Sequence, residues 1–166
     1  MHMEAQETLI QYVKENQNKL YKLAYSYSNN QDSALDILQE AITKALENIN
    51  KLKNPEYVTT WFYRILINES LLYIRKNKKI IQYTLIDEEK PFENYEDILI
   101  ENLDIYHLIQ NLKPKIKTVI MLRYFENFKI EEIAQILNVN TNTVKSRLYK
   151  GLRELKESME RREKNG

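Results

Sequence analysis

The polar side chains between Thr141 and Arg153 have types and spacing that can do chemistry, and that chemistry is recognition rather than bond-making. Thr141, Asn142, Thr143, Lys145 and Ser146 fall on the first turns of a predicted helix, with Arg147, Lys150 and Arg153 along its sides. Asn and Lys pair with base edges, while Arg and Lys neutralise phosphates with strong salt dependence. Catalytic material is scarce by comparison. There is no cysteine, so thiolate nucleophiles, disulfides and Cys-ligated zinc are excluded, and His2 and His107 are the only imidazoles. Neither a nucleophile with its base nor a metal set can be assembled, so no cofactor, metal or small-molecule substrate is expected, and the chain does not read as an enzyme.

A helix has to present those residues, and the sequence around them supplies one. Ile130, Ile133, Ala134 and Leu137 share a face of a short helix, followed by a three-residue turn at 138–140. Small Ala134 lets a second helix cross closely, Val139, Val144 and Leu148 fill the angle, and Asn140 is placed to cap the second helix. This is the helix-turn-helix pattern, whose second helix lies in the DNA major groove with its N-terminal residues toward the bases. A helical hairpin with a solvated basic face has the same shape, but the polar pattern favours DNA.

The rest of the chain is also helical in period. The spacing predicts a helix over 4–28 with an irregularity near 15–18, a turn at 29–32, and a second helix capped by Asp32 or Ser33 that ends before Asn54-Pro55. A third is expected from Thr59 or Thr60 to about Lys76, and four more over 98–111, 114–126, 130–137 and 141–160. With 166 residues, two glycines and three prolines, the chain is all-α, and its organisation reads as two small helical domains, 1–79 and 98–166, joined by a flexible acidic linker at 80–97.

A net charge of +1 conceals a strong alternation. Residues 1–43 sum to −3, 44–79 to +5, 80–106 to −7 and 141–156 to +4. Two basic blocks therefore flank an acidic stretch, so the small total does not exclude nucleic acid. No apolar run is of membrane-spanning length, and the N-terminus lacks a basic region followed by an apolar stretch, so a cytoplasmic protein is expected.

Two motif sets point to one family. Ile133-Ala-Gln-Ile-Leu followed by Thr143-Val-Lys-Ser-Arg-Leu resembles region 4.2 of bacterial sigma-70-type factors. Asp36-Ile-Leu-Gln-Glu-Ala-Ile resembles region 2.2, and Trp61-Phe-Tyr-Arg-Ile with Asn68 and Ile74-Arg75 resembles regions 2.3–2.4. The resemblance covers roughly residues 18–80 and 100–158. It is specifically to the extracytoplasmic-function group, and within it to the sigma-V-type subgroup through Ala34-Leu-Asp-Ile, Ile130-Glu-Glu-Ile-Ala and Asn140-Thr-Asn-Thr-Val-Lys.

The resemblance implies an alternative sigma factor that binds core RNA polymerase and promoter DNA. Region 4 would read the −35 element through the residues between Thr141 and Arg153. Region 2 would capture and melt the −10 element through Tyr57, Trp61, Tyr63, Arg64, Asn68, Arg75, Lys76, Lys78 and Lys79, groups that stack on unpaired bases or line a cationic track. One at least of Trp61 and Phe62 belongs to the core, as aromatics at helical spacing usually do. Asp36, Gln39 and Glu40, helical neighbours opposite the apolar stripe, would dock on the polymerase β′ clamp helices, with the β flap as a further contact. The family also implies an anti-sigma factor, commonly membrane-anchored, and a cell-envelope stress signal. Leu35 and Leu72 depart from the acidic residues common at those family positions. Rival readings are a stand-alone helix-turn-helix regulator, which would need neither the 36–42 face nor the 57–79 block, and a helical adaptor that binds no DNA.

Overall fold

A computed structural model describes residues 2–77 and 105–165, with the side chains of His2 and Asn165 outside that description. The expected linker 80–97 and the candidate residues Lys78 and Lys79 therefore lie outside the described residues, which carry helices and no strand. The chain divides into two compact units, 1–90 and 91–166.

In the first unit, α1 (His2–Glu15) and α2 (Gln17–Ser28) meet at Asn16. The expected irregularity is thus a true break, with the Asn16 side-chain amide bonded back to the Tyr12 carbonyl at 2.9 Å. α2 ends on Asn29 in the left-handed region (φ 53°), a conformation asparagine tolerates better than most residues. α3 (Gln31–Glu47) corrects the expected cap. Asn30, not Asp32 or Ser33, accepts a hydrogen bond from the Ser33 N–H at 2.9 Å, and the helix starts two residues earlier than its apolar pattern suggested. Short 3-10 turns at Ile49–Lys51 and Pro55–Tyr57 lead into α4 (Val58–Lys76).

α2, α3 and α4 pack on one another, and α1 lies chiefly against α4 and the two 3-10 turns. Leu20, Leu23, Ala34, Ala41, Phe62 and Leu66 are all wholly buried at the centre. Each large apolar side chain removed from water there contributes roughly 1.5–3 kcal/mol. Polar ties fix the helices: the Tyr73 hydroxyl of α4 donates to Ser33 of α3 at 3.0 Å, and Lys44 of α3 pairs with Glu69 of α4.

In the second unit residues 105–110 are helical, and α5 (Pro114–Ile120) begins on a proline, whose missing N–H costs nothing at a first helical turn. The expected helix over 114–126 changes winding midway: Met121–Phe125 form a π turn, with the Glu126 N–H reaching the Met121 carbonyl at 3.1 Å. The aromatic rings of Tyr106 and Phe125 meet edge to face, 6.4 Å between centroids. α6 (Ile130–Leu137) and α7 (Thr141–Asn165) follow, and α7 packs against both α5 and α6.

Candidate nucleic-acid interface

The turn between α6 and α7 is built from asparagines. Asn138 takes φ 55°, and the Val139 N–H bonds the Ala134 carbonyl at 3.0 Å, closing the end of α6. Asn140 then opens α7: its side-chain oxygen accepts the Thr143 N–H at 2.8 Å and the Thr143 hydroxyl at 2.9 Å. The expected cap is in place. At the other end of α6 the Glu132 carboxylate accepts the Lys129 N–H at 2.9 Å, and Arg123 holds the Phe128 carbonyl at 3.4 Å. Ile133, Ala134, Ile136, Val144 and Leu148 are buried between the helices, as the angle of a helix-turn-helix requires.

With that face inward, the polar residues of α7 are left outward. Asn142, Lys145, Ser146, Lys150 and Arg153 are exposed, and Thr141, Thr143 and Arg147 are half-buried beside them. No acid stands in the first turn, so the helix N-terminus, carrying its partial positive charge, presents only neutral and cationic groups. One exposed aromatic lies among them that the motif alone did not single out: Tyr149, 61% exposed, follows Lys145 by four residues and Ser146 by three. Its four-residue spacing from Lys145, which sets the two on one face of α7, is the signal the sequence carries.

α4 sorts the second candidate set. Tyr57, Trp61, Arg64, Asn68 and Arg75 recur at spacings of three, four and seven and share one side of the helix. Tyr57 is 54% exposed and Trp61 half-buried; Arg64, Asn68, Arg75 and Lys76 are exposed. Tyr63 does not join them. Its ring is wholly buried, edge-on to Tyr12 at 6.1 Å between centroids, and its hydroxyl accepts from the Tyr12 hydroxyl at 3.0 Å. It is a core residue, and the expectation that it contacts DNA is corrected on that ground. Phe62 is the other core aromatic. Glu69, the one acid in α4, is taken up by Lys44, whose pKa this hydrogen bond raises above its usual value. The outward track is left cationic.

On α3, Asp36, Gln39 and Glu40 are all exposed, opposite buried Ala34, Ile37, Leu38, Ala41 and Ala45. Leu35, 44% exposed, stands on the same side, and Leu72 is half-buried on the flank of α4. Among the described residues no group of three or more His, Asp or Glu is placed to hold a metal ion, and no helix is long and apolar enough to cross a membrane.

The geometry defines a class: an all-helical protein with a helix-turn-helix reader in one unit and an aromatic, cationic helix face in the other. Comparison with known proteins takes this further. Residues 12–80 match the model of sigma-70 region 2, and residues 102–155 that of sigma-70 region 4. The RNA polymerase sigma factor SigV of Bacillus subtilis (strain 168) is 41% identical over 151 residues, 87% of each chain. The ECF RNA polymerase sigma factor SigW of the same strain is 32% identical over 158 residues, covering 86% of this chain and 83% of its own. Among solved structures, the sigma factor RpoE in complex with the anti-sigma factor NepR from Bartonella quintana aligns with a TM-score of 0.70 at 20% identity, over 93% of this chain and 98% of that one. CnrH in complex with the cytosolic domain of CnrY aligns at 0.69 and 16% identity, over 96% of each chain.

The chain belongs to the sigma-70 family, in its extracytoplasmic-function group. It is an alternative sigma factor, which directs promoter recognition and transcription initiation by RNA polymerase. Sigma factors are transcription initiation factors.

Proposed function

We propose that this sigma factor reads the −35 element as duplex with the N-terminal half of α7 and captures the −10 element as partly single strand on the outer side of α4. The observation that carries the reading is the Asn140-capped start of α7, where Asn142, Lys145 and Ser146 face solvent while Val144 and Leu148 hold the helix down. Thr141, Thr143, Arg147, Lys150 and Arg153 complete the −35 set, with the last three at the phosphates. Tyr57, Trp61, Arg64, Asn68, Arg75 and Lys76 form the −10 set, to which the sequence adds Lys78 and Lys79. Region 2 extends over 1–79 and region 4 over 98–166, with the acidic segment 80–97 as the linker.

Asp36, Gln39 and Glu40 dock on the β′ clamp helices of core polymerase, and region 4 meets the β flap. In the absence of its signal, which belongs to cell-envelope stress, the protein is held by an anti-sigma factor anchored in the membrane, and it acts in the cytoplasm. The complex solved for RpoE with the anti-sigma factor NepR supports an anti-sigma partner. Run-off transcription with sigma-free core polymerase tests the reading, beginning with the promoter upstream of the protein's own gene. Promoter-specific transcripts are expected; failure to bind core polymerase would overturn it.

A further inference from the structure

Gly151 sits in the middle of α7, where glycine is a poor choice. An interior glycine costs a helix about 1 kcal/mol relative to alanine, and Gly151 does not have a positive φ that would call for it. Space explains it. A Cβ placed on Gly151 would lie 2.8 Å from Ile116 Cγ2, 2.9 Å from Ile120 Cγ1 and 3.0 Å from Ile120 Cδ1. The two isoleucines are themselves buried on α5, and Ile120 is its last residue before the backbone widens into the π turn. All three atoms belong to isoleucine side chains that are packed inside the unit, with little room to turn aside. The α7 backbone therefore rests directly on two β-branched side chains of α5.

We propose that Gly151 is a positioning residue for promoter recognition: its missing side chain sets the distance of α7 from α5, and so the tilt at which α7 presents Asn142, Lys145 and Ser146 to the −35 bases. The inference rests on the reading of α7 as the recognition helix. Gly151 lies nine residues from Asn142, about 13 Å along one continuous helix. Val144 and Leu148, both buried against the rest of the unit, lie between them and act as the fulcrum. Relieving contacts this short requires a lift of about half an ångström at position 151. That is the scale on which a preorganised recognition site loses its fit. Gly151 itself is buried and touches no DNA in this scheme.

A double-mutant cycle tests it, read as the ratio of run-off transcription from a promoter with its −35 element intact to the same promoter with that element scrambled. Full-length wild type, Gly151→Ala, Ile120→Ala and the double variant are compared, with thermal unfolding midpoints measured alongside. Helix propensity alone predicts that Gly151→Ala is neutral or stabilising. The proposal predicts that it lowers the ratio about tenfold, comparable to losing one good base contact. In the Ile120→Ala background, where both Ile120 contact atoms are gone and the Ile116 Cγ2 contact remains, the same change should cost clearly less, about threefold. An unchanged ratio in Gly151→Ala overturns the proposal. So does an equal loss in both backgrounds, or an equal loss from the scrambled promoter, which would mark a general effect on folding. If Gly151→Ala alone unfolds the unit, the comparison of Ile120→Ala with the double variant decides: a fall of about threefold in the ratio supports the proposal and equal ratios overturn it. A wild-type chain indifferent to scrambling would remove the recognition-helix reading, and the proposal with it.

Discussion

At the scale of single residues, the clearest determinant is Asn140. Its one side-chain oxygen takes both the N–H and the hydroxyl of Thr143, so Asn140→Ala is expected to lower the stability of the second unit by about 1 kcal/mol, with Asn140→Asp or Asn140→Ser close to wild type. Urea unfolding checks this. A second residue sets a pH dependence. Burial pushes the Lys117 ammonium from its ordinary 10.5 down to about 8. Between those values the unfolded chain holds a proton that the folded unit has released, so this group makes stability rise as pH increases from about 8 toward 10.5. Below pH 8 both states are protonated and the dependence vanishes. Lys117→Met should flatten that slope relative to wild type; an unchanged slope would mean that burial does not set the group's titration. Neither Lys117 nor Gly151 was legible beforehand. A lysine among polar neighbours and a glycine within a helical pattern carry no mark of what will lie against them.

At the scale of elements, α4 separates two kinds of aromatic. Tyr63→Phe removes a hydroxyl paired with Tyr12 and should cost about 1 kcal/mol of stability while leaving promoter melting unchanged where the protein is folded. Trp61→Ala or Arg64→Ala should do the reverse, reducing open-complex formation, as followed by permanganate reactivity of unpaired thymines. If Tyr63→Phe impairs melting and Trp61→Ala does not, the assignment of faces is wrong. For α7, exchanging Arg147, Lys150 or Arg153 for neutral residues should each lower the slope of log affinity against log salt by about 0.9 while leaving base preference intact. The helix-turn-helix was readable because its signals are local: Asn140, Ala134, and apolar residues three and four apart. The aromatic run Trp61-Phe-Tyr was not divisible in that way, because the partner that buries Tyr63 is Tyr12, 51 residues earlier. The α3 cap slipped to Asn30 because three neighbouring residues all have capping side chains, and only the backbone of α2's left-handed exit at Asn29 selects among them. The π turn at Met121–Phe125 had no sequence signal, since its residues suit an ordinary helix equally well.

At the scale of the whole molecule, the alternating charge is expected to temper DNA affinity. The free chain should bind promoter duplex weakly and gain productive contact from polymerase. Replacing Asp87, Glu88, Glu89 and Glu93 with neutral residues takes the formal net charge from +1 to +5. Affinity of the free chain for duplex should then rise at low salt, by gel shift, and initiation with polymerase should change; unaltered transcription would count against any role for the acidic segment. The arrangement of the first unit also carries a consequence in time. α2, α3 and α4 can pair with near neighbours as soon as each is made, and helical chains with such local contacts fold within microseconds to milliseconds. α1 is different, because its main supports are α4 and the two 3-10 turns, all of which arrive later in the chain. The N-terminal helix, synthesised first, must wait for the two 3-10 turns and α4 before it can settle, and by the same logic it is the first to come away. A newly made copy therefore completes α4 before its opening helix is secured, and amide exchange should be faster along α1 than along α3.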